Sequence, residues 1–152
     1  MNSVQDWLEA YGESHQNPVN KKIHWVCVPL IMLSLLGLLW PIQFTFLIDS
    51  QFLNATTVLI AIVSIYYFRL SISMGFGMLL ISAIMIFIIT SVSSNQFAFN
   101  PYVVIFIFSW IGQFIGHKIE GKKPSFLEDI QFLLIGPAWL MSFVYDKFKI
   151  KY

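Results

Sequence analysis

Charged side chains are scarce in this sequence. They make up 11% of its 152 residues, less than half of the roughly 25% found in soluble domains. Between Ile23 and Gly116 the charged residues are Asp49 and Arg69 alone. A soluble fold could not cover its surface with so little charge, and a net charge of +1 excludes a nucleic-acid partner. With 57% hydrophobic residues, the chain is predicted to be an all-α integral membrane protein forming one domain, residues 1–152.

Motifs for several common chemistries are absent as well. Cys27 is the single cysteine, which excludes an intramolecular disulfide. The chain has no glycine-rich phosphate loop, no Gly-x-Ser-x-Gly turn of serine hydrolases and no Cys-x-x-Cys pair. Any catalytic chemistry must therefore come from other residue types.

Four apolar stretches approach the roughly 20 residues that a helix needs to cross a bilayer. These predicted spans are residues 23–41, 52–68, 70–92 and 101–116. A fifth apolar stretch, residues 126–145, follows a capping box that begins at Ser125. Gly136 and Pro137 interrupt it, and proline disfavours a continuous helix. We expect a re-entrant or interfacial pair of half-helices there, with a true fifth span as the alternative.

Lysine and arginine positions predict the orientation. If the N-terminus is cytoplasmic, Lys21, Arg69 and Lys118 all lie on the cytoplasmic side, as the positive-inside rule requires. The lysines of the C-terminal tail agree only if residues 126–145 do not cross. The expected location is a bacterial inner membrane, or the endoplasmic reticulum in a eukaryote.

A polar segment precedes the first span. Residues 3–13 are predicted to form a helix capped by Ser3 and Asp6, with an apolar face of Trp7, Leu8 and Tyr11. Such a helix suits the membrane interface and contact with membrane lipids.

Other side chains receive structural interpretations. Trp40, Tyr66, Tyr67 and Trp139 are interpreted as aromatic residues of the membrane interface. Small residues recur in the third span, where they favour close helix packing and permit a homo-oligomer.

The three histidines fall at one membrane face in this topology. His15 follows the N-terminal helix, His24 lies in the first turn of the first span, and His117 ends the fourth span. Imidazole is a frequent ligand of zinc, iron and copper. Glu120 follows His117 by three residues and shares its face if the helix continues.

Three imidazoles and one carboxylate could hold a ferrous ion with positions left open for substrate and dioxygen, or a catalytic zinc ion. Interfacial histidines without a metal are the simpler alternative. Asn17, Asn20 and Gln113 lie close to the histidines in sequence, and a buried amide in a membrane helix needs a partner. Lys21 could attract an anionic headgroup or carboxylate, whereas Cys27 is interpreted as packing.

Two motifs carry a resemblance to a known family. Residues 11–30 read YGESHQNPVNKKIHWVCVPL and residues 110–125 read WIGQFIGHKIEGKKPS. A third, shorter match is Gly136–Pro137. The sequence resembles the membrane 2-hydroxy fatty acid dioxygenases, fungal endoplasmic-reticulum enzymes of phytosphingosine breakdown with bacterial relatives, over essentially its whole length.

The resemblance implies an Fe2+-dependent α-oxidation. A 2-hydroxy fatty acid and O2 would give the acid one carbon shorter and CO2. His15, His24 and His117 would bind iron, and Glu120 would be a further ligand or would support one. Asn17, Asn20 and Gln113 would orient the imidazoles or the substrate, and Lys21 or Lys22 could attract the substrate carboxylate. A zinc-dependent membrane lipid hydrolase and a non-catalytic lipid-binding scaffold are the alternatives.

Overall fold

The computed structural model is all-helical in the part of the chain that it describes, residues 3–44, 50, 52–92, 100–124 and 130–152. In those residues, Gln43 and Asn54 also form an isolated antiparallel β-bridge. The six helices are α1 (Val4–Glu13), α2 (Pro18–Leu39), α3 (Ala55–Leu70), α4 (Ile72–Ser91), α5 (Pro101–Glu120) and α6 (Phe132–Phe148).

Three of the helices, α2, α4 and α5, are long and apolar enough to cross a membrane. The shorter apolar helix α3 corresponds to the second predicted span. Two of the helices extend beyond the predicted spans. Asn17 caps α2 and Pro18 occupies its first turn, so that helix begins five residues before the predicted span. Helix α5 continues beyond Gly116 to Glu120 and ends at Gly121, whose φ of 75° is a left-handed C-terminal cap.

Helix α1 has the predicted cap. The Ser3 side chain accepts from the backbone N–H of Asp6, and the Asp6 carboxylate accepts from the N–H of Ser3. Its buried face, which includes Leu8 and Tyr11, packs against α6. Location of α1 at a membrane interface stays a prediction.

Helices α2 and α5 form the most extensive helix contact in the described chain. Glycines of α5 allow their close approach: a methyl group at position 112 would meet Cys27 Sγ, and one at position 116 would meet Asn20 Oδ1. Small residues at such crossings let backbones approach closely in membrane proteins. Cys27 thus has the packing role expected from the sequence.

Helices α3 and α4 are separated by Ser71, an extended residue that caps α4. Two glycines of α4 make packing contacts within the chain. Gly75 faces the Phe68 ring of α3, and Gly77 faces Tyr145 of α6. The predicted close packing of the third span is therefore intramolecular at these positions. A homo-oligomer stays a prediction.

The prediction of two half-helices within residues 126–145 is wrong for the described part, because α6 continues through Gly136 and Pro137 as one helix. Proline removes one backbone donor, but neighbouring side chains can bind the carbonyls near it. The Tyr67 hydroxyl donates to the Leu134 carbonyl at 2.7 Å, one turn before the proline. The predicted capping box at Ser125 lies outside the described residues.

Contacts along α6 involve one end of the helix bundle. Tyr67 at the end of α3 binds Leu134, and the Tyr145 hydroxyl donates to the carbonyl of Ser73 at the start of α4. Trp25, near the start of α2, packs against Phe143. Both halves of α6 therefore touch the end of the bundle that carries His24, an arrangement that favours a helix lying across this end.

Two aromatic residues interpreted as interfacial are instead buried. Tyr67 is buried and binds the backbone of α6. Trp139 of α6 is buried, and its ring contacts those of Tyr11 on α1 and of His15. Sequence spacing alone could not separate them from interfacial aromatics, because their burial depends on where α6 packs.

Candidate metal centre

The first histidine lies in a short link between two helices. Helix α1 ends at Glu13 and α2 begins at Pro18. The Asn17 side chain accepts from the N–H of Val19 at 2.8 Å, which caps α2 and fixes the end of the link. His15 therefore sits on a rigid turn at the bundle end.

His15 is fully buried and held on two sides. Its Nδ1 lies 2.7 Å from the Tyr11 carbonyl, and its ring stacks on that of Tyr11 with centroids 4.1 Å apart. The Trp139 ring packs nearby at 5.3 Å. Burial lowers the pKa of His15 to about 3, because desolvation disfavours the charged form. The imidazole is thus neutral at pH 7 and able to bind a metal.

His24 is fully buried on α2. Its Nδ1 lies 3.0 Å from the Asn20 carbonyl, one turn earlier in the same helix. A carbonyl oxygen only accepts, so Nδ1 carries the proton. Such a bond fixes the tautomer of metal-binding histidines and orients their rings.

The two fixed rings meet at their other nitrogens. Nε2 of His15 and Nε2 of His24 are 3.0 Å apart. In neutral rings whose Nδ1 atoms donate to carbonyls, both Nε2 atoms present lone pairs, and two lone pairs at this distance repel unless a cation binds them. This pair therefore fits a shared metal ion.

His117 completes the cluster from the last turn of α5. Its ring centroid lies 4.9 Å from that of His15 and 5.0 Å from that of His24. One ring nitrogen from each histidine lies within 4.8 Å of the others. The Nδ1 atom of His117 is buried without a hydrogen-bond partner. The structure thus brings together the three histidines predicted from the sequence, as a group that could hold a metal ion.

Glu120 has a different set of contacts. Its Oε1 accepts from the N–H of Gln16 at 2.8 Å, and its Oε2 accepts from the N–H of Asn17 at 2.9 Å and from Asn20 Nδ2 at 3.0 Å. The metal-binding group found in the described residues contains the histidines without this carboxylate. Glu120 thereby joins the end of α5 to the link that carries His15.

The remaining predicted site residues lie around this cluster. Asn20 is fully buried, and its side chain contacts Glu120. Gln113 lies one turn before His117, and its Nε2 is buried without a partner. Lys21 lies half-buried in the first turn of α2, and its contact with a ligand stays a prediction.

Two adjoining cavities extend from His117 into the bundle. The smaller, about 60 Å³, has His117 and Gln113 in its wall. The larger, about 360 Å³, is bounded by side chains of α2 to α6. Residues that line both are Ile31, Met32, Trp110, Leu133 and Pro137. An elongated ligand could therefore reach from His117 into the apolar interior.

Sequence reasoning missed two residues that hold His15. Tyr11 precedes His15 by one helical turn, so its carbonyl and ring are within reach once α1 forms. Gly136 allows the approach of α1, since a methyl group there would meet the Tyr11 hydroxyl. Trp139 follows three residues later, and helical spacing places the two on one face of α6. The contact of Trp139 with His15 follows from the sequence only if α6 continues through Pro137.

Comparison with known proteins shows which family the chain belongs to. The sequence matches the family described as "2-hydroxy-palmitic acid dioxygenase Mpo1-like" over residues 1–148. It is 30% identical over 142 residues to the 2-hydroxy-palmitic acid dioxygenase MPO1 of Saccharomyces cerevisiae, an alignment that covers 91% of this chain and 77% of the yeast protein. No solved structure shows significant similarity. The chain belongs to the Mpo1-like family of 2-hydroxy-palmitic acid dioxygenases.

Proposed function

We propose that this protein is an Fe2+-dependent dioxygenase that shortens 2-hydroxy fatty acids by one carbon. The observation that carries the proposal is the buried cluster of His15, His24 and His117, in which two ring nitrogens lie 3.0 Å apart. Family membership supplies the reaction class and the substrate class.

The choice of iron rests on the reaction class of the family. Three neutral imidazoles suit both Fe2+ and Zn2+, but a dioxygenase reaction needs a metal that can react with O2, which zinc cannot do because it has no redox chemistry. Bound iron would supply the activation of O2. Three protein ligands leave positions for O2 and for the hydroxyl and carboxylate of the substrate.

The reaction balances without a further reductant. A 2-hydroxy acid R–CH(OH)–COOH and O2 give R–COOH, CO2 and water. The bond between the carboxyl carbon and C2 breaks, C2 becomes the new carboxyl carbon, and the substrate supplies all four electrons that reduce O2.

Polar residues near His117 would bind the head of the substrate. The unpartnered Nε2 of Gln113 lines the same small cavity as His117 and can donate to a carboxylate or hydroxyl oxygen. Lys21 would attract the carboxylate through its positive charge. These groups would place C2 and its hydroxyl beside the metal.

Glu120, Asn17 and Asn20 would act as positioning residues. The carboxylate accepts from the backbone of the link and from the Asn20 amide, while the Asn20 carbonyl orients His24. This chain of contacts connects all three ligand-bearing segments. Direct ligation of iron by Glu120 is the alternative role, and its hydrogen bonds with three N–H groups favour positioning.

The positive-inside rule supports a site at the cytoplasmic face. Lys21 and Lys22 lie at the histidine end of α2, and Lys118 lies at the histidine end of α5. A substrate acid would then enter from the cytoplasmic leaflet of a bacterial inner membrane or of the endoplasmic reticulum.

Metal content, oxygen uptake and product mass test the function together. Protein purified without oxygen should contain iron, consume O2 when given 2-hydroxypalmitate, and release the fifteen-carbon acid and CO2. Palmitate, which lacks the hydroxyl, is the control and should give no uptake. Bound zinc with hydrolysis of lipid esters would favour a hydrolase, and absence of any transition metal would favour a scaffold; either result would overturn the proposal.

A further inference from the structure

The larger cavity has the character of a site for one hydrocarbon chain. Its volume of about 360 Å³ lies within the range of about 300–1,000 Å³ typical of small-molecule sites. Hydroxyl groups in its described walls belong to Ser64, Tyr67 and Ser82, and that of Tyr67 already donates to the Leu134 carbonyl. The remaining wall is made of aliphatic and aromatic side chains.

The cavity continues from the metal centre. Met32, Trp110 and Pro137 belong to its wall and also to that of the small cavity beside His117. A ligand with its head at His117 would therefore have its tail in the larger cavity. The head must be polar, because Gln113 is only 6% exposed and its Nε2 has no partner.

The depth of the cavity matches one leaflet of a bilayer. Phe106 lines it and precedes His117 by eleven residues on α5, a separation of about 16 Å along the helix. Half of a hydrocarbon core about 30 Å thick is about 15 Å. The distal wall includes Leu36, Leu59 and Ser82, from three different helices.

We infer that this cavity binds the acyl chain of the 2-hydroxy fatty acid and that its distal wall, at Leu59 and Ser82, determines which chain lengths are accepted. This inference rests on the proposed function for the identity of the head group. A single acyl chain fits the observations because the cavity joins a polar, metal-binding end to an apolar, leaflet-deep interior.

Filling the cavity tests the inference. Ser82→Phe places a large ring in the distal wall, while Ala83→Phe adds the same bulk to the neighbouring residue, whose side chain is exposed and outside the wall. Each methylene excluded from the cavity weakens binding about fourfold. The measured quantity is the kcat/KM for 2-hydroxypalmitate divided by the kcat/KM for 2-hydroxydecanoate. Ser82→Phe should lower this ratio by about tenfold or more relative to wild type. Ala83→Phe should leave the ratio unchanged.

A second variant acts in the opposite direction. Leu59→Ala shortens a half-buried side chain of the distal wall and so enlarges the cavity. It should raise the ratio of kcat/KM for the long acid to that for the short acid. If Ser82→Phe fails to fold, Leu59→Ala still tests the inference. Unchanged ratios in the variants that fold would overturn it.

Binding measured without turnover separates this inference from the proposed function. Radiolabelled 2-hydroxypalmitate and 2-hydroxydecanoate are bound to the purified full chain in the absence of oxygen. If wild type binds the long acid better and Ser82→Phe reverses the preference, the cavity assignment stands even when no oxygen is consumed. If oxygen is consumed but neither variant changes chain-length preference in binding or turnover, the acyl chain lies elsewhere and the inference is wrong.

Discussion

Two helix pairs of this protein differ in what lies between or beside them: α2 and α5 carry buried histidines, whereas α3 and α4 line an apolar cavity. Helices α2 and α5 approach closely through Gly112 and Gly116 and carry the buried side chains of His24 and His117. Helices α3 and α4 meet through Gly75 and Phe68, and their side chains form much of the acyl-sized cavity. The α2–α5 pair holds buried polar side chains in hydrogen-bonding contacts, whereas side chains of α3 and α4 bound an apolar space. Variants of the first pair should therefore impair metal binding, and variants of the second should change stability or substrate preference.

The largest effect is expected for His117→Ala. It removes one metal ligand, so iron should be lost and oxygen uptake should fall at least about 100-fold. The apo-protein should stay folded with a lowered thermal unfolding midpoint, because the buried ring leaves a cavity while its Nδ1 has no hydrogen bond to lose. Iron content and circular dichroism are measured on the same preparation. Full iron content in this variant would contradict the assignment of the cluster.

Gly116→Ala compared with Gly75→Ala tests the contrast between the pairs directly. A methyl group at position 116 meets the Asn20 amide, which Glu120 holds in place, and such overpacking costs about 1–3 kcal/mol. The Gly75 methyl meets the Phe68 ring, so its overpacking falls in the α3–α4 contact and not at the residues that hold His24. We expect the first variant to lose about tenfold in iron affinity through the displaced Asn20 and His24, and the second to bind iron normally. Equal iron affinities would remove the distinction drawn between the two pairs.

Glu120→Gln should weaken iron binding about tenfold without changing the ligands. The amide loses the charge that accepts from the N–H groups of Gln16 and Asn17, so the link carrying His15 becomes less well positioned. Glu9→Gln, an exposed position on α1, is the control. At saturating metal, the absorption spectrum of the Co2+-substituted variant should match that of wild type; an altered spectrum would indicate that Glu120 is a ligand.

Tyr67→Phe is expected to have the smallest effect. It removes the hydroxyl bound to the Leu134 carbonyl near Pro137, and one such bond contributes about 1 kcal/mol. The thermal midpoint should fall by a few degrees while iron content stays full. Tyr152→Phe removes a hydroxyl whose bond to Asp146 is exposed and should shift the midpoint less. A loss of iron in Tyr67→Phe would show that the α3–α4 pair also positions the metal centre.

Features set by local sequence were the most predictable ones. Apolar runs predicted the positions of α2 to α5, and Ser3 with Asp6 predicted the start of α1. The three histidines could be grouped because alternating helix directions bring the start of the first span and the end of the fourth to the same face, and the structure confirms their convergence.

Features set by packing could not be predicted in the same way. Helix α6 continues through Pro137 while packed against distant helices, and the Tyr67 hydroxyl of α3 binds its Leu134 carbonyl. Helix α5 extends to Glu120, whose carboxylate binds the N–H groups of Gln16 and Asn17, about a hundred residues earlier in the chain. Trp139 reaches His15 only because α1 lies on α6. In each case the deciding partner is remote in sequence.

The order in which the ligands occur along the chain has a consequence for biogenesis. His15 and His24 are synthesised first, and His117 follows after 92 intervening residues that include α3 and α4. During translation the nascent chain can offer only two of these imidazoles until α5 has been synthesised. If the three histidines bind a metal ion as proposed, the complete ligand set forms late, and the ion would then join segments made at different times.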